Sequence, residues 1–255
     1  MAAPRIVRLM YRNIVVNIDP GTLVILIGLP AMYLVFFGFG FQSLVSSSAG
    51  SGSYLSYLAP GIMAFQAVIA GTVGGGLLWA DRRWGMLAQL LVGPFTRLQY
   101  LLGIMFTSVI FGLAGALVMM FGAYALIGSL HLTAYGVLVM YGTILVGSIF
   151  FGSLMLFISA LVKSNNAYNS IQILVIFVVN FASTVFYPFS TSLPLPIQVL
   201  FRINPLSYIA DAVRGGFTGN LTAFDIEEVG VLFVEMIVTL FLATRAYMRS
   251  NVSYE

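Results

Sequence analysis

The sequence predicts an all-α polytopic membrane protein with six transmembrane helices, and three observations carry that reading. Five apolar stretches of spanning length, and a sixth slightly shorter one, fill most of the chain. Hydrophobic residues make up 60% of the chain and charged ones only 7%. A globular protein has roughly 25% charged residues, enough to cover a soluble surface. Nearly all the positive charge lies between alternate apolar stretches. With 255 residues and six spans, one transmembrane domain accounts for residues 1–255.

A helix needs roughly 20 apolar residues to cross a ~30 Å hydrocarbon layer. Thr22–Phe41 supplies an uncharged stretch of that length. Leu58–Leu78, Leu101–Ile127, Ala134–Val162, Ile171–Phe186 and Val229–Thr244 follow. Ser47-Ser48-Ala49 resembles a signal-cleavage site. Signal cores run roughly 7–15 residues, so the first stretch reads as a span.

Arg5, Arg8, Arg12, Arg82, Arg83, Arg97, Lys163, Arg245 and Arg249 fall on one side of this arrangement, nine of eleven basic residues. The other side has Arg202 and Arg214, with Asp211, Asp225, Glu227 and Glu228. Basic residues stay cytoplasmic, so both termini are expected in the cytoplasm of a multi-pass plasma-membrane protein. An even number of spans requires the same. No basic tract interleaves with aromatics, which argues against nucleic acid as a partner.

Three shorter elements complete the expected fold. Arg5, Arg8 and Arg12 share a helical face ahead of the first span, as in a helix lying at the interface with its arginines toward headgroups. Asp19-Pro20-Gly21 then turns the chain into the bilayer. Gln42–Ser53 is a Ser- and Gly-rich connection. Between spans two and three, Asp81, Gly85 and Gln89 alternate with Trp84, Leu87, Ala88 and Leu91 at helical spacing. That pattern predicts a short amphipathic helix flat on the cytoplasmic surface, ended by Gly93-Pro94. Its polar face suits docking to a soluble partner as well as simple solvation.

Between spans five and six, Pro188, Pro194 and Pro196 prevent a continuous helix. Ile197, Leu200 and Phe201 then recur at helical spacing, and Asn204-Pro205 is a helix start. Leu206, Ile209, Ala210 and Val213 form its apolar stripe, Ser207, Asp211 and Arg214 its polar one, and Gly215-Gly216 its expected end. Two short helices are thus expected to pack on or dip into the outer leaflet, as a cap over an internal space.

The side chains do not favour an enzyme acting on its own. Cysteine is absent, His131 is the single histidine and Lys163 the single lysine. A metal site and a phosphate-cradling Gly-rich loop with its lysine are both excluded as readings. No cofactor is expected on this chain, and no catalytic residue is assigned. Within the spans, Glu235 is the one charged residue well inside, roughly 9 Å along the helix from Val229. Such a group costs about 2.5–3.5 kcal/mol to insert and normally faces protein or water. It is read either as lining a path or subunit interface, or as snorkelling or buried protonated. Asn180 is a weaker path candidate, with a helix–helix hydrogen bond as the plainer role. Gly71 and Gly75, Gly112 and Ala116, and Ser148 and Gly152 read as close-packing pairs.

These motifs together resemble the ABC-2-type permeases, membrane subunits of ATP-binding cassette exporters, and most of all the daunorubicin-resistance and nodulation-export types. Tyr57-Leu58-Ala59-Pro60-Gly61 opens span two as in that family. Asp81-Arg82-Arg83-Trp84-Gly85-Met86-Leu87, with Gly93-Pro94-Phe95-Thr96-Arg97, resembles its cytoplasmic signature. The family usually has Glu and a single Arg where Asp81-Arg82-Arg83 stand. Phe186-Tyr187-Pro188, Leu193-Pro194, Asn204-Pro205-Leu206-Ser207-Tyr208 and Arg214 resemble its outer signature.

The resemblance implies a type V exporter-like fold: six spans, an N-terminal interfacial helix, a coupling helix and short external re-entrant helices. It implies two permease copies, a homodimer or a pair with a sister permease, over two separate ATPase subunits that hold ATP and magnesium. It implies outward movement of a hydrophobic or amphipathic substrate: a drug, a lipid or a lipid-linked glycan. Asp81, Arg82, Arg83, Trp84, Gly85, Met86, Leu87, Pro94 and Arg97 would form the ATPase-docking region. Pro188, Asn204, Pro205, Tyr208 and Arg214 would form the external gate. The alternatives are an ion-gradient-driven secondary transporter, which would carry more intramembrane charge, and a membrane-embedded enzyme or scaffold.

Overall fold

Helices are the only regular elements among the described residues, which are 4–45, 53–128 and 132–250 of a computed structural model. Ser47-Ser48-Ala49 and His131 lie outside them. The helices are α1 (Arg5–Asn17), α2 (Pro20–Leu23), a π turn (Val24–Gly28), α3 (Leu29–Val45), α4 (Tyr54–Arg83), α5 (Met86–Val92), α6 (Arg97–Ile127), α7 (Ala134–Leu161), α8 (Asn165–Phe181), α9 (Leu195–Ile203), α10 (Pro205–Thr218) and α11 (Ala223–Arg249).

Among the described residues four segments are long and apolar enough to cross a membrane: Pro20–Phe41, α4, α6 and α7. They do so unequally. The most apolar window of α4 is 94% buried and that of Pro20–Phe41 only 22%, so α4 is the hub and the first span is peripheral. Around α4 pack α3, α6, α7 and α10, while α11 lies against α7 and α1 against α6. Close approach of α4 and α7 depends on Gly71: a Cβ there would sit 2.6 Å from the carbonyl carbon of Phe151. Lipid tails are as apolar as leucine, so helices in a membrane associate through such close packing.

Several boundaries differ from the sequence reading. The fifth apolar stretch, Ile171–Phe186, is helical only to Phe181. The helix α8 instead begins at Asn165, so the polar segment Asn165–Ser170 is recruited at its start. Residues 182–186 are turns. The sixth stretch lies inside a longer helix that starts at Ala223, because Thr222 and Asp225 close a reciprocal capping box. Gly215-Gly216 does not end α10. The helix runs to Thr218 and stops at Gly219, whose φ of 74° is left-handed. Gly216 is instead a crossing point, since a Cβ on it would meet the Gly136 carbonyl oxygen at 2.6 Å.

The segment expected to lie at the interface is helical, forming α1 with Leu9 and Asn13 buried. Its arginines do not act alike. Arg5 and Arg8 are exposed, whereas Arg12 turns inward. Asp19 caps the first span as the turn reading required, accepting from the backbone N–H groups of Gly21 (2.8 Å) and Thr22 (3.2 Å). The π turn that follows has no sequence signal. Gln66 of α4 donates to the Leu26 carbonyl inside it, at 3.1 Å.

Candidate functional site

Two polar networks lie at opposite ends of the bundle, and each ties a short helix to the long ones. The first surrounds α5. The long helix α4 does not stop at Asp81 but continues to Arg83, so Asp81 and Arg82 are buried at its end. Both Asp81 carboxylate oxygens accept from Arg12, at 2.5 Å, and one also accepts from the Tyr100 hydroxyl at 2.7 Å. The hydrogen bond to Asp81 raises Arg12 above its ordinary pKa against the opposing effect of burial.

Arg82 points the other way. It donates to the Ser159 and Ala160 carbonyls at 2.8 and 3.2 Å, covering the last turn of α7. Arg97 does the same for α11, reaching the carbonyls of Tyr247 (3.2 Å), Met248 (2.9 Å) and Ser250 (3.2 Å). The last carbonyls of a helix have no partner within it and carry negative partial charge, so a guanidinium is well placed there. Asp81 therefore belongs to the internal frame, not to the polar outer face the periodicity suggested, and Arg82 and Arg97 brace the same frame. An acid or base at the end of a buried helix needs a partner, and burial overrides the local pattern.

What faces outward is the turn between α4 and α5. Trp84 is 75% exposed, and Arg83 and Met86 are exposed beside it. Gly85 makes the turn with a φ of 69°, a left-handed conformation that disfavours side chains. Leu87 alone of α5 is buried. Pro94 is exposed in the following turn, and Thr96 caps α6 with Gln99.

The second network surrounds α10. The apolar stripe read from the sequence is the packed face of this helix: Leu206, Ile209, Ala210 and Val213, with Ala212, are wholly buried among α4, α7 and α11. Asn204 joins it to α8. Its amide donates to the Val179 and Ala182 carbonyls, both at 2.7 Å, while its oxygen accepts from the Leu206 N–H at 3.0 Å. Pro205 follows at the first helical position.

The non-helical segment 182–186 is covered in the same way. The Thr184 carbonyl accepts from the Tyr57 hydroxyl (2.6 Å) and from Arg214 (2.9 Å), and the Phe186 carbonyl from the Tyr54 hydroxyl (2.7 Å). Irregular backbone is tolerated at membrane depth only when so satisfied.

Asp211 and Arg214 form an ion pair on α10, joined by the Thr184 hydroxyl at 2.9 Å from Asp211. The pair is partly buried rather than exposed, and the Arg214 guanidinium lies 3.9 Å over the Tyr57 ring. Burial pushes the Asp211 carboxyl above its ordinary pKa, while Arg214 and Thr184 pull against it. Beside this network is a cavity of about 500 Å³, with Phe201, Tyr208 and Phe224 among its walls and Glu227 and Glu228 at its edge. Tyr208 is buried and donates its hydroxyl to the Arg202 carbonyl. Pro188 is exposed and outside the cavity lining.

The family pattern of ABC-2 type transporters matches residues 6–218 of this chain. The chain belongs to the ABC-2 type transporter family. Nodulation protein J of Rhizobium leguminosarum bv. trifolii is 28% identical to it over 229 residues, covering 86% of this chain and 83% of that protein. The protein is a membrane subunit, or permease, of an ABC transporter, a family whose ATPase activity resides on separate subunits.

In this permease the sequence-derived residues separate into three groups. Arg83, Trp84, Gly85 and Met86 come together at one exposed turn. Asn204, Pro205, Tyr208 and Arg214 come together around α10. Glu235 and Asn180 belong to neither network. The Glu235 Oε2 and the Asn180 Oδ1 are buried, and neither has a hydrogen-bond partner among the described residues. Sequence reasoning missed Tyr100, Tyr57 and Thr184, whose partners lie 19 to 157 residues away. The one available signal was Asp81 itself, since an acid at the edge of an apolar span demands a donor.

Proposed function

We propose that this permease is one half of an exporter driven by ATP hydrolysis on separate ATPase subunits, which hold ATP and magnesium and dock at the turn around Trp84. The observation that carries the reading is the contrast within that segment. Trp84, Arg83 and Met86 are exposed, whereas their neighbours Asp81 and Arg82 are locked into the ends of the long helices. A large exposed aromatic beside a guanidinium is the composition of an interface anchor, and Arg83 lies 5.3 Å over the Trp84 ring.

In this reading α8 and α11 are the fifth and sixth spans, and both termini are cytoplasmic. A second copy of the chain, or a sister permease, pairs with the first. The apolar face of α8 supports that pairing: Ile173, Leu174, Phe177 and Val178 are exposed. The substrate is hydrophobic or amphipathic and moves outward, and the elements around α10 form its external gate.

The chain has no cysteine, so one introduced cysteine gives an unambiguous label. Gln89→Cys, on the exposed side of α5, is expected to react with an impermeant maleimide only from the cytosolic side. Bound ATPase should protect it. Trp84→Ala should weaken co-purification of the ATPase by about thirtyfold, the size of a hot-spot loss. Labelling from outside intact cells, or labelling that ignores the ATPase, would refute the docking reading.

Glu235 is assigned to the translocation path or subunit interface. Its unpartnered buried oxygen and its position seven residues beyond Glu228 on the same face of α11 support this. Glu235→Gln is expected to reduce export about tenfold, the scale of one charged hydrogen bond. Unchanged turnover together with unchanged assembly would assign the carboxyl to neither role.

A further inference from the structure

We propose that the groove between the ends of α7 and α11 binds one anionic phospholipid of the cytoplasmic leaflet, with Arg245 and Arg249 holding its phosphate. The orientation rests on the function proposed above; the binding does not require the ATPase. The groove encloses about 360 Å³. Phe157, Leu161 and Leu242 contribute apolar lining, and Arg245 and Arg249 contribute charged lining. The two arginines are four residues apart on α11, so they share a face one turn apart, about 6 Å along the axis. Leu242 precedes them toward the membrane interior. Leu242 and then the two arginines follow one another along α11 in the order of a lipid's chains and headgroup.

The charge accounting strengthens the case. Arg12, Arg82 and Arg97 at this end all have protein acceptors. Arg245 and Arg249 form no ion pair among the described residues. Among the described residues no carboxylate is placed to serve them. Asp19 is engaged in capping the first span and Asp81 with Arg12 and Tyr100. Asp211, Asp225, Glu227 and Glu228 belong to the opposite end. Glu235 is ten residues from Arg245, about 15 Å along α11, and Glu255 lies outside the described residues. Two guanidinium groups at this groove, with no counter-ion among the described residues, match the phosphate of an acidic lipid. Lys163, two residues beyond Leu161, adds positive charge at the same end.

The test is native mass spectrometry of the purified full chain with phosphatidylglycerol, with phosphatidylcholine and with inorganic phosphate alone. One phosphatidylglycerol should be retained in preference to phosphatidylcholine. Basic residues near a membrane contribute roughly fivefold each, so R245Q/R249Q should lower that preference about thirtyfold. R245K/R249K keeps both charges and should retain most of it, and Arg202→Gln, at the opposite end, should leave it unchanged. The proposal is overturned if the Gln pair keeps the preference, if the Lys pair loses it, or if inorganic phosphate displaces the lipid, which would mark a free-anion site. Retention of the lipid alongside failed ATPase docking would separate this groove from the docking reading.

Discussion

Asp81→Asn should destabilise the permease by about 3 kcal/mol, because removing one charge of a buried pair leaves the other uncompensated. Asp81 is 5% exposed and holds both Arg12 and the Tyr100 hydroxyl. Its loss would leave Tyr100 facing a weaker acceptor and would release α1 from the end of α4. The measurement is thermal unfolding of the purified chain in detergent, paired with protease sensitivity of α1. Arg12→Gln should reproduce much of the loss, and the double variant should cost less than the sum of the two singles, since they share one interaction. Additive losses would show that the pair is not coupled.

Gly71→Val should be comparably damaging, by about 3 kcal/mol, the upper part of the range for overpacking a close-packed core. The first atom added at Gly71 meets the backbone of α7 at Phe151, with its carbonyl carbon at 2.6 Å and its oxygen at 2.7 Å. Backbone cannot rotate aside as a side chain can, so α4 and α7 must separate. Gly76, one position past the Gly71–Gly75 pair, faces open space, and Gly76→Val serves as the control. Equal behaviour of the two variants in a thermal-stability assay would contradict the packing.

The contrast between these glycines shows what the sequence could convey. Long apolar stretches and their polar punctuation are local properties, so α1, the first four spans and the start of α10 at Asn204-Pro205 were legible. Small-residue spacing marked Gly71 and Gly75 as contact positions without naming Phe151 as the partner. The end of α8 was not legible. Ala182–Phe186 is apolar enough to continue a helix, but it is turned by the distant donors Tyr54, Tyr57, Asn204 and Arg214. Asp81 was misplaced for a similar reason. Its spacing fits a surface helix, and only Arg12 and Tyr100 hold it inside, while nothing local marks Arg82 as the donor to the end of α7. The π turn depends on Gln66 across the bundle and leaves no trace in its own residues.

Arg82 and Arg97 bracket α5 in the chain, and together they make five contacts with the terminal carbonyls of α7 and α11. The exposed turn is thus yoked at both shoulders to two long helical rods. A push on it large enough to shift those shoulders must either drag the feet of both rods along or tear all five contacts away.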